Sequence, residues 1–205
     1  MKISLENISK RFQRHWIFKD LSFSFTTPGA YALLGANGSG KSTLLRIIAG
    51  MQNPSKGKIV YENGSAAVEQ NKLYPYISFT APGQEIIEEL TLQEFLQFHF
   101  NFKKPLGGLD VPAIIKLTGL EHSANKPIGD YSSGMKQRVK LAQAIFSDTP
   151  ILLLDEPCTN LDQQGVDQYT NWIEQYGKGR IVIVASNDVR EYFFCRETVA
   201  IEDYK

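Results

Sequence analysis

The 205-residue sequence lacks an excess of charge of either sign: 22 Lys plus Arg balance 22 Asp plus Glu. A chain without a positive excess has no bulk attraction for nucleic acid, and no nucleic acid is expected as a partner. Cysteine is scarce, with Cys158 and Cys195 only. These thiols build no disulfide framework, which points to a reducing compartment. No uncharged apolar run approaches the ~18 residues that a membrane span requires. The opening stretch MKISLENISKRF alternates and carries charge, unlike a signal peptide. The chain is therefore expected to be soluble by itself, and to reach a membrane only through another chain.

What is present is an ordinary globular balance, 42% hydrophobic and 21% charged, enough for one core. KISLENI and LSFSFTT alternate like half-exposed strands, and AYALLG is a short apolar strand stopping at glycine. KSTLLRIIAGM has helical spacing and closes at Gly50. GKIVYENG is a further strand between glycines. From about Gln84 to Phe146 the period changes to that of helices. Thr91 and Glu94 form a capping box before FLQFHFNF, and VPAIIKLTGL and SGMKQRVKLAQAIF continue the pattern. Strand character returns with ILLLDEP and IVIVAS. The plan is one α/β core interrupted by a helical lobe.

GANGSGKS, Gly35 to Ser42, satisfies G-x-x-x-x-G-K-[ST] between a predicted strand and a predicted helix. Glycines such as Gly35, Gly38 and Gly40 let the backbone curl so that N–H groups, including those of Asn37 and Ser39, can face phosphate oxygens. The helix N-terminus, with Thr43 in its first turn, adds partial positive charge. Lys41 supplies a cation for the β- and γ-phosphates, and Ser42 a hydroxyl for Mg²⁺. ILLLDEP ends an apolar run on Asp155 and Glu156. Beside a phosphate loop, Asp155 serves the metal through a water, and Glu156 orients and deprotonates the attacking water. Alone, this pair is as readily a solvated strand end; the upstream loop decides for chemistry.

Between these motifs lies YSSGMKQR, Tyr131 to Arg138. With GANGSGKS and ILLLDEP in this order, the chain resembles the nucleotide-binding domain of ATP-binding cassette (ABC) transporters over nearly its whole length. The resemblance implies an α/β fold: a P-loop NTPase (RecA-like) core with an N-terminal antiparallel β subdomain and an inserted α-helical subdomain. Residues 1–205 would form a single ABC ATPase domain, with the core at about 1–83 and 146–205 and the helical part at about 84–145. The family signature Leu-Ser-Gly-Gly-Gln falls on Tyr131 to Met135, where Ser132 and Gly134 match. In the family this segment clasps the γ-phosphate of ATP held by the opposite subunit. TNLD resembles the family's D-loop, with Asp162 meeting the partner. Phe12 falls where an aromatic ring stacks on adenine, with Trp16 as the other candidate.

Two further departures from the family matter most. Its glutamine at the entrance to the helical part, which senses Mg²⁺ and the membrane partner, falls on Pro82, and Gln84 is the candidate substitute at the metal. Its histidine after the last core strand falls on Asn187, within Ser186-Asn187-Asp188. The three histidines, His15, His99 and His122, lie elsewhere and are expected on surfaces or helices. Asparagine gives a neutral hydrogen bond where histidine can give a charged one. The difference, about 1–2 kcal/mol, corresponds to roughly 10-fold slower hydrolysis without loss of binding.

The resemblance implies an ATPase with ATP and Mg²⁺ as ligands, cytoplasmic and peripheral on the membrane. It would pair as a homodimer or heterodimer around two ATP and drive a separate membrane-spanning transporter subunit. The shortness of the chain leaves no expected C-terminal regulatory domain. Two other readings use the same motifs. One is a soluble ABC ATPase acting on DNA or the ribosome, whose relatives usually carry a coiled coil or second cassette. The other is a non-catalytic ATP-dependent switch, against which Glu156 argues.

Overall fold

The computed structural model describes residues 1–205. The chain opens with β1 (Lys2–Phe12) and β2 (His15–Thr26), an antiparallel hairpin, then β3 (Gly29–Leu34) and α1 (Lys41–Ile48). β4 (Lys56–Asn63) and β5 (Ala66–Val68) follow, then β6 (Ile77–Thr80). Three helices come next: α2 (Leu92–Phe100), α3 (Val111–Thr118) and α4 (Ser133–Ile145). The chain continues through β7 (Ile151–Asp155), α5 (Gln163–Tyr176), β8 (Ile181–Ala185), α6 (Val189–Tyr192) and β9 (Glu197–Ala200). No helix is long and apolar enough to cross a membrane.

The strands form two sheets. One is antiparallel, in the order β2-β1-β4-β5; the other is parallel, in the order β6-β7-β8-β3-β9. All five residues of β7 and of β8 are buried, as strands covered on both faces must be. Their side chains divide by parity. Leu152, Leu154, Val182 and Val184 pack with α2, α3, α4 and α5. Ile151, Leu153, Ile181 and Ile183 pack with α1 and the N-terminal hairpin.

Helix ends follow local chemistry. The Thr91 hydroxyl accepts from Glu94 N–H while the Glu94 carboxylate accepts from Thr91 N–H, the predicted capping box. Asp110 caps α3, and Gly119 ends it in the left-handed conformation. α1 ends at Ile48, with Gly50 just beyond at φ 72°. β6, β9 and α5 are not anticipated by the sequence patterns.

Register sets the working edge of the molecule. β3 pairs with β8 so that Leu33 lies opposite Ala185, and β7 pairs with β8 so that Asp155 lies opposite Ala185. The loops after β3, β7 and β8 therefore leave the parallel sheet at one level. This is the carboxyl edge, where open α/β sheets place ligands.

Candidate active site

The loop after β3 curls into α1, which begins at Lys41. At Gly40 the backbone has φ 115°, and a Cβ there would lie 2.4 Å from the Ile17 side chain. Only glycine meets both conditions, so the β2 side chain fixes the loop's last turn. Lys41 is 5% exposed, and its Nζ donates to the carbonyl oxygens of Gly35 (2.6 Å) and Ala36 (3.3 Å). The ammonium is thus held inside the loop. Phe12, Ile17, Asn37, Gly38, Gly40, Lys41, Ser42, Thr43 and Glu156 line one cavity of about 250 Å³.

Two strand ends deliver side chains to this cradle. The Ser42 hydroxyl donates to Asp155 Oδ1 at 2.9 Å, linking α1 to β7. Burial pushes the Asp155 carboxyl above its ordinary range, and the Ser42 hydrogen bond opposes that. Paired hydroxyl and carboxylate oxygens suit a hard cation such as Mg²⁺, which takes few protein ligands and completes its shell with phosphate and water. No group of three or more His, Cys, Asp or Glu side chains forms a dedicated metal cage. Glu156 follows at φ 43°, a left-handed backbone that its non-glycine side chain resists. Its N–H donates to Ala185 O (2.9 Å), and its carbonyl accepts from Thr159 N–H (3.2 Å), which hold that turn.

Asn187 also reaches the loop: its Nδ2 donates to Asn37 Oδ1 at 3.2 Å. The loop after β8 thereby touches the loop after β3, 150 residues earlier. Phe12, 47% exposed, borders the cradle with Lys10 Nζ 5.2 Å from its ring centre. Trp16 does not border it and is flanked by Arg11 and Lys56.

Other expected site residues lie apart from the cradle. Ser132 caps α4 by accepting from Met135 N–H. A Cβ on Gly134 would come 2.9 Å from the Asn160 carbonyl oxygen, so glycine lets α4 approach the Thr159–Asp162 loop closely. Asp162 caps α5 through Gly165 N–H and accepts from Arg138 at 3.1 Å. Gln84 makes no hydrogen bond to Ser42 or Asp155 and does not line the cradle. Its N–H donates to Ala81 O, closing a turn that carries the side chain toward clefts beside His99 and Glu88. Its Oε1 is buried without a hydrogen-bond partner. The Pro82 carbonyl is held by Lys140 Nζ at 2.9 Å. Of the histidines, His15 and His122 are exposed, while His99 lies half-buried on α2, 2.9 Å from the Ser147 hydroxyl.

Sequence reasoning misses several contacts that shape these loops. Gln137 Nε2 donates to Pro157 O (2.7 Å) and the buried Glu191 accepts from Cys158 N–H (2.6 Å), both bracing the segment after Glu156. Glu202 accepts from Ala36 N–H (2.6 Å) behind the phosphate loop. No spacing rule links residues so far apart.

Comparison with known proteins agrees with this geometry. A family model described as "ABC transporter" matches residues 18–159. An uncharacterized ABC transporter ATP-binding protein of Bacillus subtilis, YhcH, is 29% identical over 97% of this chain, which spans 66% of that protein. The Nod factor export ATP-binding protein I of Rhizobium johnstonii is 34% identical over 78% of the chain, which covers 52% of it. The cytochrome c biogenesis ATP-binding export protein CcmA of Agrobacterium fabrum is 32% identical over 91% of this chain and 89% of its own length. Among solved structures, a putative ABC transporter ATP-binding protein from Pyrococcus furiosus superposes over 100% of both chains with a TM-score of 0.81 at 23% identity. A dimeric ATP-binding cassette bound to ADP and Pi gives a TM-score of 0.81 at 23% identity, over 97% of this chain and 93% of that one. The structural likenesses show that the fold is that of the cassette ATPases.

Proposed function

Because the chain belongs to the ABC transporter family of ATP-binding proteins, we propose that it is the ATP-hydrolysing subunit of a transporter and drives a separate membrane-spanning subunit. The observation that carries this reading is the convergence of Lys41, Ser42, Asp155, Glu156 and Asn187 at one sheet edge. Residues from the ends of three neighbouring strands, β7, β8 and β3, meet there and supply the cation, metal ligands and base that phosphoryl transfer uses.

ATP would lie with its phosphates in the loop and its base against Phe12. Lys41 would exchange its loop carbonyls for β- and γ-phosphate oxygens. Ser42 would hold Mg²⁺ directly and Asp155 through water; the bound ion would neutralise phosphate charge. Glu156 would accept a proton from water as the water oxygen bonds to the γ-phosphorus. The bond from that phosphorus to the bridging oxygen breaks, and ADP leaves with the electron pair. Ser132, Gly134 and Asp162 border no part of this cradle, and in this reading they meet the nucleotide of a second ATPase subunit. Residues 84–145 would then move with that contact against the core at 1–83 and 146–205.

Asn187 sets the rate in this scheme. Its neutral amide faces the loop where a cationic group would stabilise charge moving in the transition state. Asn187→His is expected to raise turnover at saturating ATP roughly 10-fold, from about 1–2 kcal/mol, with little change in affinity. Steady-state phosphate release with a parallel binding titration checks this. Equal or lower turnover in a folded variant would make Asn187 a strand-end residue tuned to its site. The neutral Asn187, with Pro82 in place of the family's glutamine, also fits an ATP-dependent switch without turnover, which phosphate release from the wild type would exclude.

The membrane partner is expected on the α2 side. Leu73, Tyr74, Ile77, Phe79, Gln84, His99 and Lys103 line a cleft of about 400 Å³, and Phe98 and Phe102 stand exposed on and just beyond α2. A short amphipathic helix suits such a surface. Photo-cross-linkers at Phe98 and Phe102 should capture the co-purifying membrane protein. Capture only from the β1–β2 hairpin would contradict this arrangement.

A further inference from the structure

The phosphate loop is gripped from behind as well as lined from within. Its central turn runs from Ala36 to Ser39 and is closed by Ser39 N–H donating to Ala36 O at 2.9 Å. Asn37 and Gly38, inside this turn, border the cradle; Ala36 and Ser39, at its two ends, do not. Those two ends are the ones held from outside. Ala36 N–H donates to Glu202 Oε1 at 2.6 Å, and Ser39 O accepts from Lys205 Nζ at 2.9 Å.

Both grips come from one short segment. β9 pairs with β3 so that Ala200 lies opposite Leu34, which brings the following 3₁₀ turn, Ile201–Tyr204, beside the loop. Ile201 is fully buried in the core shared with α1 and β8, so the turn has a fixed base. The Glu202 carboxylate also crowds Gly35: a Cβ there would meet Oε2 at 2.6 Å. The Ala36 N–H holds the Glu202 carboxyl below the usual carboxylate range, with smaller help from Lys205 and Lys41.

We propose that Glu202, with Lys205, is a positioning residue that holds the Ala36–Ser39 turn in its nucleotide-receiving shape from outside the site. The proposal rests on the phosphate-loop reading. Glu202 is not among the residues that line the cradle, and its hydrogen bond is to the Ala36 backbone. A loop held in its bound shape before the ligand arrives has less ordering left to do on binding. The benefit is shared by any nucleotide that uses the loop, whether ATP or ADP.

Two measurements on the full chain test this. In calorimetric titrations with Mg²⁺, Glu202→Ala should weaken ATP and ADP binding alike, by about 3- to 10-fold, less than a direct charge-assisted contact to phosphate because the brace acts only through loop ordering. Glu202→Gln keeps an acceptor oxygen for Ala36 N–H and should recover most of that loss. Amide exchange at Ala36 in the nucleotide-free protein should speed up in Glu202→Ala and return toward wild type in Glu202→Gln. Unchanged affinity with unchanged exchange would overturn the proposal. So would tighter binding in Glu202→Ala, which would make the carboxylate a rival of the phosphates. If the wild type binds neither nucleotide, the phosphate-loop reading fails, and Ala36 exchange still decides whether the brace exists.

Discussion

Lys41→Ala should lose tight ATP binding while keeping the fold. The ammonium is buried at 5% exposure and already spends two hydrogen bonds on the loop's own carbonyls. Those carbonyls come from Gly35 and Ala36, so the lysine also ties the loop's first residues to the start of α1. When phosphates enter, the same ammonium is the one cation of the loop itself available to them. Charge-assisted bonds contribute about 1.5–3 kcal/mol each, so losing contacts to β- and γ-phosphate should raise Kd by roughly 100-fold or more. The side chain sits at a helix start facing a cavity, so its removal leaves space that water can fill. A calorimetric titration beside a thermal melt checks both halves. Unchanged affinity would remove the basis for placing phosphate in this loop.

Glu156→Gln should lower hydrolysis by about 10²- to 10⁴-fold, the usual contribution of a positioned general base. The amide has the same shape but cannot take the water's proton. Affinity for ATP should persist, because Lys41, Ser42 and the loop amides are untouched. With turnover blocked and a second subunit's Ser132 and Gly134 closing over the γ-phosphate, the variant should accumulate as an ATP-bound dimer. Gel filtration with saturating Mg-ATP reads this directly. A variant that stays monomeric, while the wild type turns ATP over, would contradict the composite site. The backbone at Glu156 makes a second point. Its φ of 43° is unfavourable for a non-glycine residue, and the Ala185 and Thr159 hydrogen bonds hold it there. Strain kept at this residue and not at its neighbours is consistent with a side chain that must be aimed.

Much of this site was legible in the sequence because its signals are local. The Gly35–Ser42 loop needs glycines at fixed offsets, and the Thr91–Glu94 capping box spans a single helical turn. β7 and β8 are buried on both faces, so they appear as unbroken apolar runs. The shorter strands were not legible. β6 and β9 have four residues each, too few to show a period. α5 hides its buried Val166, Tyr169, Trp172 and Ile173 among glutamine, aspartate and threonine. Gln84 shows a different limit. Its type suits the metal, and spacing alone could not show that in this structure it lines the clefts beside His99 and Glu88. Glu202 and Ala36 are 166 residues apart and meet only because β9 lies beside β3. Tertiary neighbours of that kind leave no trace in spacing.

The central claim is that the loops after β3, β7 and β8 form an ATP-hydrolysing site. Phosphate release from the purified wild-type chain, at saturating ATP with and without Mg²⁺, tests it most directly, with Glu156→Gln as the paired control. The account predicts slow, Mg²⁺-dependent release that rises with protein concentration as dimers form and nearly disappears in Glu156→Gln. Release that is absent from the wild type, or equal in the two proteins, would contradict it.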